Sequence, residues 1–185
     1  MDEMIEKVKN GYTLNIYKDK LELSKAVFKF IESQIVHTLK NKERFKFCVS
    51  GGSTPKSVYQ LLSKSNLKWD FVDVFLGDER CVNPNSELSN SLMLKNSLLT
   101  NFGSKAYFYE IFNEGKGLKR ISLTPKVLSA SSKIVFLVSG DNKRIALERL
   151  LDEKEPPDRT PSKLIKSINQ ISIFCDQDSA KELEI

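Results

Sequence analysis

The apolar residues of the chain follow two different spacings. Short apolar runs, which are typical of buried strands, lie at residues 12–17, 45–50, 71–76, 133–138 and 170–175. Between these runs, apolar residues recur every three or four positions, most clearly over 20–39, as they do in an amphipathic helix. Strands that alternate with helices predict an α/β chain with a mostly parallel sheet.

Weaker patterns predict the remaining elements. Further helices are expected after Pro55, over 87–99 and over 142–151. Short strands are expected at 106–112 and 120–124, with single helical turns at 125–132 and 161–167. The chain contains neither an internal repeat nor a low-complexity tract.

The stretch SGGSTP joins a predicted strand to a predicted helix. Gly51 and Gly52 would form the turn, Ser53 or Thr54 could cap the helix, and Pro55 suits its first turn. Backbone N–H groups at such a turn converge on one point, which favours an anion such as phosphate. The alternative is a turn that only needs the backbone freedom of glycine.

Two more polar clusters follow predicted strands, at the sheet edge where parallel sheets bind ligands. The first contains Asp78, Glu79 and Arg80, where a carboxylate pair beside an arginine could orient a hydroxyl or hold a base in place. The second, SGDNK, contains Lys143, and Arg120 opens the short strand RISLT. Both cations could bind phosphate. The alternatives are an ordinary ion pair in the first cluster and exposed cations at the other two positions.

Composition narrows the function classes. The chain has 185 residues, a net charge of +5 and a pI of about 9.0, but its basic residues are scattered among acidic ones. This distribution suits an anionic metabolite better than nucleic acid. The three cysteines lack metal-ligand or disulfide spacing. Together with a polar N-terminus and no membrane-spanning run, they predict a cytoplasmic protein without membrane partners. The single histidine, His37, is expected to be structural or surface-exposed.

Taken together, the motifs resemble those of the 6-phosphogluconolactonases, in a superfamily that includes glucosamine-6-phosphate deaminase. The resemblance rests on SGGSTP, WDFVDVFLGDER followed by SN, RISLT, FLVSGDNK and TPSKLI, in this order. It implies a three-layer α/β/α sandwich with a mostly parallel, Rossmann-like sheet, forming one sugar-phosphate-binding domain over residues 1–185. It also implies hydrolysis of 6-phosphoglucono-1,5-lactone in the oxidative pentose phosphate pathway, without metal or cofactor.

The resemblance also assigns residues to roles. Gly51, Gly52, Ser53, Arg120 and Lys143 would bind the sugar phosphate. The strand-end cluster would supply Arg80 for substrate binding. It would also supply the carboxyl groups of Asp78 and Glu79, which are the catalytic candidates. The reaction would be attack of water on the lactone carbonyl, assisted by a general base.

The chain departs from the family pattern in one region. The lactonases carry a strand that ends in a G-x-G-x-D-G-H-like loop, whose histidine is the expected base. Between Tyr109 and Arg120 this chain has only EIFNEGKGLK, so a segment is missing near 110–119 and the fold is shortened relative to the family.

Three explanations of this departure remain open. The printed sequence could omit a segment, the protein could be a shortened homologue that binds sugar phosphate or acts as an interaction protein without catalysis, or Asp78 or Glu79 could have become the base. A deaminase would need a histidine from the same missing region. The oligomeric state is left open, with a monomer favoured over an oligomer.

Overall fold

The computed structural model describes residues 4–111, 119–167, 169 and 171–183. The strands are β1 Ile5–Lys9, β2 Tyr12–Tyr17, β3 Phe45–Val49, β4 Val72–Leu76, β5 Asp78–Arg80, β6 Tyr107–Tyr109, β7 Arg120–Ser122, β8 Val135–Val138 and β9 Ile171–Asp176. The α-helices are α1 Lys20–Asn41, α2 Ser53–Leu62, α3 Asn90–Lys95, α4 Pro125–Ser129, α5 Arg144–Leu151 and α6 Gln177–Ala180. Short 3-10 helices lie at Trp69–Phe71, Asn101–Lys105, Asp141–Lys143 and Pro161–Leu164.

The chain divides into two compact units. The first comprises Met1–Leu23 and Thr124–Ile185, and the second comprises Ser24–Leu123. The prediction that residues 1–185 form one sugar-phosphate-binding domain stays a prediction.

The first unit contains a four-stranded sheet in the order β1-β2-β9-β8. β1 pairs antiparallel with β2, whereas β9 runs parallel to both β2 and β8. The central strands β2 and β9 pair Leu14 with Ile173, and both side chains are fully buried. They pack with apolar residues of α5 in one core, formed by Leu14, Ile16, Leu147, Leu150, Leu151, Ile173, Cys175 and Ala180.

The second unit contains a parallel three-stranded sheet in the order β3-β4-β6. Its central strand β4 is buried at most positions, as a strand flanked on both sides should be. The one carboxylate on this strand, Asp73, accepts two hydrogen bonds from the guanidinium of Arg44, at 2.8 and 2.7 Å. A separate antiparallel ladder joins β5 to β7.

The predicted α/β class with mostly parallel sheets is confirmed, and several details are corrected. The RISLT strand belongs to an antiparallel pair with β5 and lies outside the parallel sheets. The helix expected over 87–99 is reduced to α3, and the strand expected to be buried at 133–138 is β8, which is only half-buried. The hairpin strand β1 was not predicted.

The expected missing segment near 110–119 falls mainly on residues 112–118, which lie outside the described residues. Within the described ranges, no helix combines the length and the apolar character needed to cross a membrane.

Candidate functional site

The glycine loop connects β3 to α2 and brings free backbone donors to the start of that helix. Gly52 is the residue before the helix and has φ of 116°, a conformation that favours glycine. Its position corrects the predicted cap, because Ser53 and Thr54 lie inside the first turn and no side chain caps this end. The first N–H groups of α2 therefore lack a side-chain acceptor there, which suits an anion.

The loop is also fixed from inside the second unit. Tyr59 of α2 is almost fully buried, and its hydroxyl donates a hydrogen bond of 2.9 Å to the carbonyl of Ser50. Burial raises the pKa of Tyr59, so the phenol stays protonated and remains a donor. The sequence analysis missed this residue, since a tyrosine in a helical stripe carries no signal beyond packing.

The β5–β7 ladder collects the charged candidates on one face. Asp78 pairs with Ser122, and Arg80 lies directly opposite Arg120. Residues that are opposite each other, or two apart along a strand, project to the same side of the ladder. Glu79 lies between these positions and projects to the other side. This face therefore presents two guanidinium groups and one carboxylate, an excess of positive charge.

Asp78 makes contacts with both of its carboxylate oxygens. Arg120 donates to Oδ2 at 2.6 Å, and the side-chain amide of Asn90 donates to Oδ1 at 3.1 Å. The Asp78 side chain keeps 28% of its surface exposed, and that of Arg120 keeps 50%. Arg80 donates from Nη1 to the carbonyl of Leu88 at 2.9 Å. The ion pair between Asp78 and Arg120 is accessible, so either side chain could leave the other and contact a ligand instead.

Glu79 is in the opposite environment, with only 2% of its surface exposed. Its carboxylate accepts hydrogen bonds from the backbone N–H groups of Arg80, Asn90 and Ser91, at 2.7, 2.8 and 2.7 Å, and from the hydroxyl of Ser89 at 3.2 Å. Burial raises the pKa of this carboxyl, but the hydrogen bonds from Ser91, Asn90 and Arg80 outweigh burial and hold the pKa below its usual range. Glu79 thus ties β5 to the start of α3 as a fixed carboxylate.

The SGDNK loop lies in the first unit and is organised by a buried acid that the sequence analysis did not identify. Asp176 accepts hydrogen bonds from the Ser139 hydroxyl at 2.5 Å, the Gly140 N–H at 3.0 Å and the Ser179 hydroxyl at 2.7 Å. Burial raises the pKa of the Asp176 carboxyl, but these hydrogen bonds outweigh burial and hold the pKa below its usual range. Lys143 ends the 3-10 helix of this loop and is exposed.

The structure therefore brings several predicted residues together. Within the second unit, the glycine loop, Asp78 and Arg120 are connected through Asn90, which entered the sequence analysis only in the SN pair of the family resemblance. Ser89, the other residue of that pair, caps α3, since its hydroxyl accepts a hydrogen bond from the Leu92 N–H at 3.1 Å. His37 lies exposed on α1.

Comparison with known proteins places the chain in a family. The family described as glucosamine-6-phosphate isomerases/6-phosphogluconolactonase matches residues 18–117 and 110–173, two segments that meet at 110–117. The chain belongs to this family of α/β proteins.

Among its relatives, the 6-phosphogluconolactonase of Nostoc sp. is 23% identical over 237 positions, covering 94% of this chain and 99% of that protein. Because 237 positions exceed the 185 residues of this chain, the alignment includes positions with no counterpart here. The 6-phosphogluconolactonase of Xylella fastidiosa strain 9a5c is 32% identical over 108 residues, which are 58% of this chain and 45% of that protein. The chain is thus short for its family, and this match spans less than half of the bacterial relative.

Solved structures of the family share the fold. A 6-phosphogluconolactonase from Shewanella baltica gives a TM-score of 0.80 at 18% identity, covering 94% of this chain and 100% of that chain. The 6-phosphogluconolactonase from Trypanosoma brucei gives 0.79 at 16% identity, covering 95% and 100%. A monomeric glucosamine-6-phosphate deaminase gives 0.71 at 15% identity, covering 91% and 98%.

Proposed function

We propose that this protein hydrolyses 6-phosphoglucono-1,5-lactone to 6-phosphogluconate, a step of the oxidative pentose phosphate pathway. Family membership supports the proposal, as do the relatives that carry the name 6-phosphogluconolactonase. The single observation that carries it is the β5–β7 face, where an accessible carboxylate shares one side of the ladder with two guanidinium groups beside the glycine loop.

Asp78 is the general base in this proposal. A base must reach the water that attacks the carbonyl, and the Asp78 carboxylate is accessible while that of Glu79 is buried under hydrogen-bond donors. We therefore assign Glu79 a positioning role, although both acids were candidates from the sequence. Arg120 must leave Oδ2 for Asp78 to accept a proton there, and an incoming phosphate gives its guanidinium a competing partner.

Substrate binding is assigned to the remaining candidates. The N–H groups at Gly51, Gly52 and Ser53 and the guanidinium groups of Arg80 and Arg120 supply positive potential for the phosphate and the developing oxyanion. Lys143 keeps the phosphate-binding role that the family resemblance gives it, as a point charge. No metal or cofactor enters the proposed reaction, because an ester carbonyl is open to attack by water with a base and oxyanion donors.

A second candidate is a sugar-phosphate-binding or interaction protein without catalysis. The observation that favours it is the location of His37, the only histidine of the chain, exposed on α1. A deaminase that depends on a histidine base is disfavoured for the same reason, because His37 is the only histidine that the chain offers. We also propose that the protein acts in the cytoplasm as a monomer on a small-molecule substrate, without nucleic-acid or membrane partners.

The test is hydrolysis of freshly prepared lactone, followed against its spontaneous rate. We expect turnover above that background, and a loss of at least tenfold in kcat/KM for Arg120→Ala and Lys143→Ala. Two exposed cations are the matched controls: Arg159→Ala, and Lys105→Ala, which also ends a 3-10 helix. Both should retain full activity.

Titration with 6-phosphogluconate separates the two candidates. A folded chain that binds this product but gives no turnover would support the binding protein and contradict the lactonase. A chain that neither binds nor turns over would contradict both.

A further inference from the structure

Asn90 is a buried amide at the centre of the candidate site. It is the first residue of α3 and only 3% of its surface is exposed. Its Nδ2 donates to the backbone carbonyl of Asp78 at 3.0 Å and to Oδ1 of the same residue at 3.1 Å. Its backbone N–H donates to Glu79. Asn90 is therefore held to two consecutive residues of β5, to Asp78 by its side-chain amide and to Glu79 by its backbone N–H.

The other side of this amide lies against the glycine loop. A Cβ added to Gly51 would come within 2.8 Å of Asn90 Nδ2 and closer still to Oδ1 and Cγ. Gly51 does not have the positive φ of Gly52, so its need for glycine is steric. In contrast, the nearest atom that a Cβ on Gly52 would meet beyond its chain neighbours is Cδ of Pro55, at 3.8 Å. Asn90 thus explains why the loop begins with glycine at position 51.

We propose that Asn90 is a positioning residue that sets the Asp78 carboxylate in register with the glycine loop. This inference rests on the proposed function, since it assigns Asn90 to the orientation of the general base. A neutral donor on Oδ1 keeps that oxygen away from Arg120 and restricts the guanidinium to Oδ2. Without the amide, Asp78 is free to rotate and engage Arg120 with both oxygens, and the base loses its orientation toward the substrate.

The first experiment compares Asn90→Ala with Asn90→Leu. Leucine has nearly the shape of asparagine but cannot donate, so it fills the space and removes only the hydrogen bonds. We expect both variants to lose about tenfold to a hundredfold in kcat, because a base misplaced by about 1 Å costs that much, while KM changes less than threefold. A leucine variant with wild-type kcat would overturn the proposal, since space filling alone would then suffice.

The second experiment approaches the same amide from the loop. Gly51→Ala should displace Asn90 and lower both kcat and the urea unfolding midpoint. In the Asn90→Ala background the added methyl group has room, so Gly51→Ala should cause little further loss in either quantity. Fully additive losses would overturn the proposed coupling.

The two experiments distinguish this inference from the function on which it rests. If the unmodified chain shows no turnover, the lactonase proposal fails, and the coupling between positions 51 and 90 is still read from the urea midpoints. Non-additive midpoints would then keep Asn90 as the link between the loop and Asp78, and additive midpoints would remove it. If Asn90→Ala does not fold, the leucine variant and the single Gly51→Ala variant still provide the kinetic test.

Discussion

Asp78 and Glu79 are neighbours in sequence, and the alternation of a β-strand gives them different surroundings. Asp78 projects to the face shared with Arg80 and Arg120 and remains accessible. Glu79 projects toward the start of α3, where its carboxylate accepts backbone and hydroxyl donors. At the residue scale, the first acid is available for chemistry and the second is committed to structure.

Glu79→Gln should therefore reduce stability. The substitution replaces one carboxylate oxygen with an NH2 group that faces N–H donors, so at least one buried donor loses its partner. Hydrogen bonds to charged groups contribute about 1.5–3 kcal/mol each, so we expect the free energy of unfolding to fall by about 2–3 kcal/mol in urea titrations. The control is Glu110→Gln, which breaks only the surface ion pair with Lys95 and should cost less than about 1 kcal/mol. Equal losses for the two variants would contradict the structural role.

At the element scale, the hairpin between β1 and β2 depends on two residues with positive φ. Asn10 has φ of 51° and Gly11 has φ of 81°, as a two-residue hairpin turn requires. An added Cβ on Gly11 meets no atom within 4 Å, so any cost of substitution there comes from the backbone conformation.

Gly11→Ala should lower the free energy of unfolding by about 1–2 kcal/mol, the cost of the left-handed conformation for an L-residue. Gly11→Asn is the matched control and should cost less, because asparagine tolerates this conformation better. Thermal or urea unfolding of the two variants measures the difference. An alanine variant as stable as the wild type would show that the turn can adopt another geometry.

The elements also show how far the sequence alone could go. Strands rich in apolar residues, such as β4 and β9, were predicted correctly because burial on both faces determines most of their composition. The Asn10–Gly11 signal was present, but β1 is mostly exposed and its pattern is weak. The β5–β7 pairing could not be predicted, because two three-residue strands about forty positions apart carry no pattern that fixes their register.

The candidate site likewise contains some residues that the sequence could reveal and others that it could not. That Gly51, Asp78 and Lys143 each follow a strand could be predicted, because each lies in a polar cluster directly after an apolar run of the sequence. The roles of Asn90, Tyr59 and Asp176 could not, since they depend on long-range contacts of ordinary polar residues.

At the scale of the whole molecule, buried carboxylates make stability depend on pH. The pKa values of Glu79 and Asp176 lie below their usual range in the folded protein, where hydrogen bonds outweigh burial. That of Asp73 is lowered chiefly by its hydrogen bonds with Arg44. A carboxyl whose folded pKa is lowered contributes stability above its unfolded pKa, and this contribution is lost as the pH falls through the folded pKa.

We therefore expect these groups to leave the urea midpoint unchanged between pH 6 and pH 8 and to reduce it below about pH 4.5, where the unfolded carboxyls begin to bind protons. Asp176→Asn should be less stable at neutral pH and show a shallower loss on acidification. Midpoints that rise as the pH falls below about 4.5 would contradict the assignment of these carboxyls.

The central claim is that this shortened family member hydrolyses the lactone with Asp78 as its base. The most direct measurement is kcat for hydrolysis of 6-phosphoglucono-1,5-lactone by the wild type and by Asp78→Asn, with Asp158→Asn as the exposed control. The account predicts turnover above the spontaneous rate for the wild type and the control, and a loss of about 10²–10⁴-fold in kcat for Asp78→Asn. A wild type at the spontaneous rate, or an Asp78→Asn variant with undiminished kcat, would contradict it.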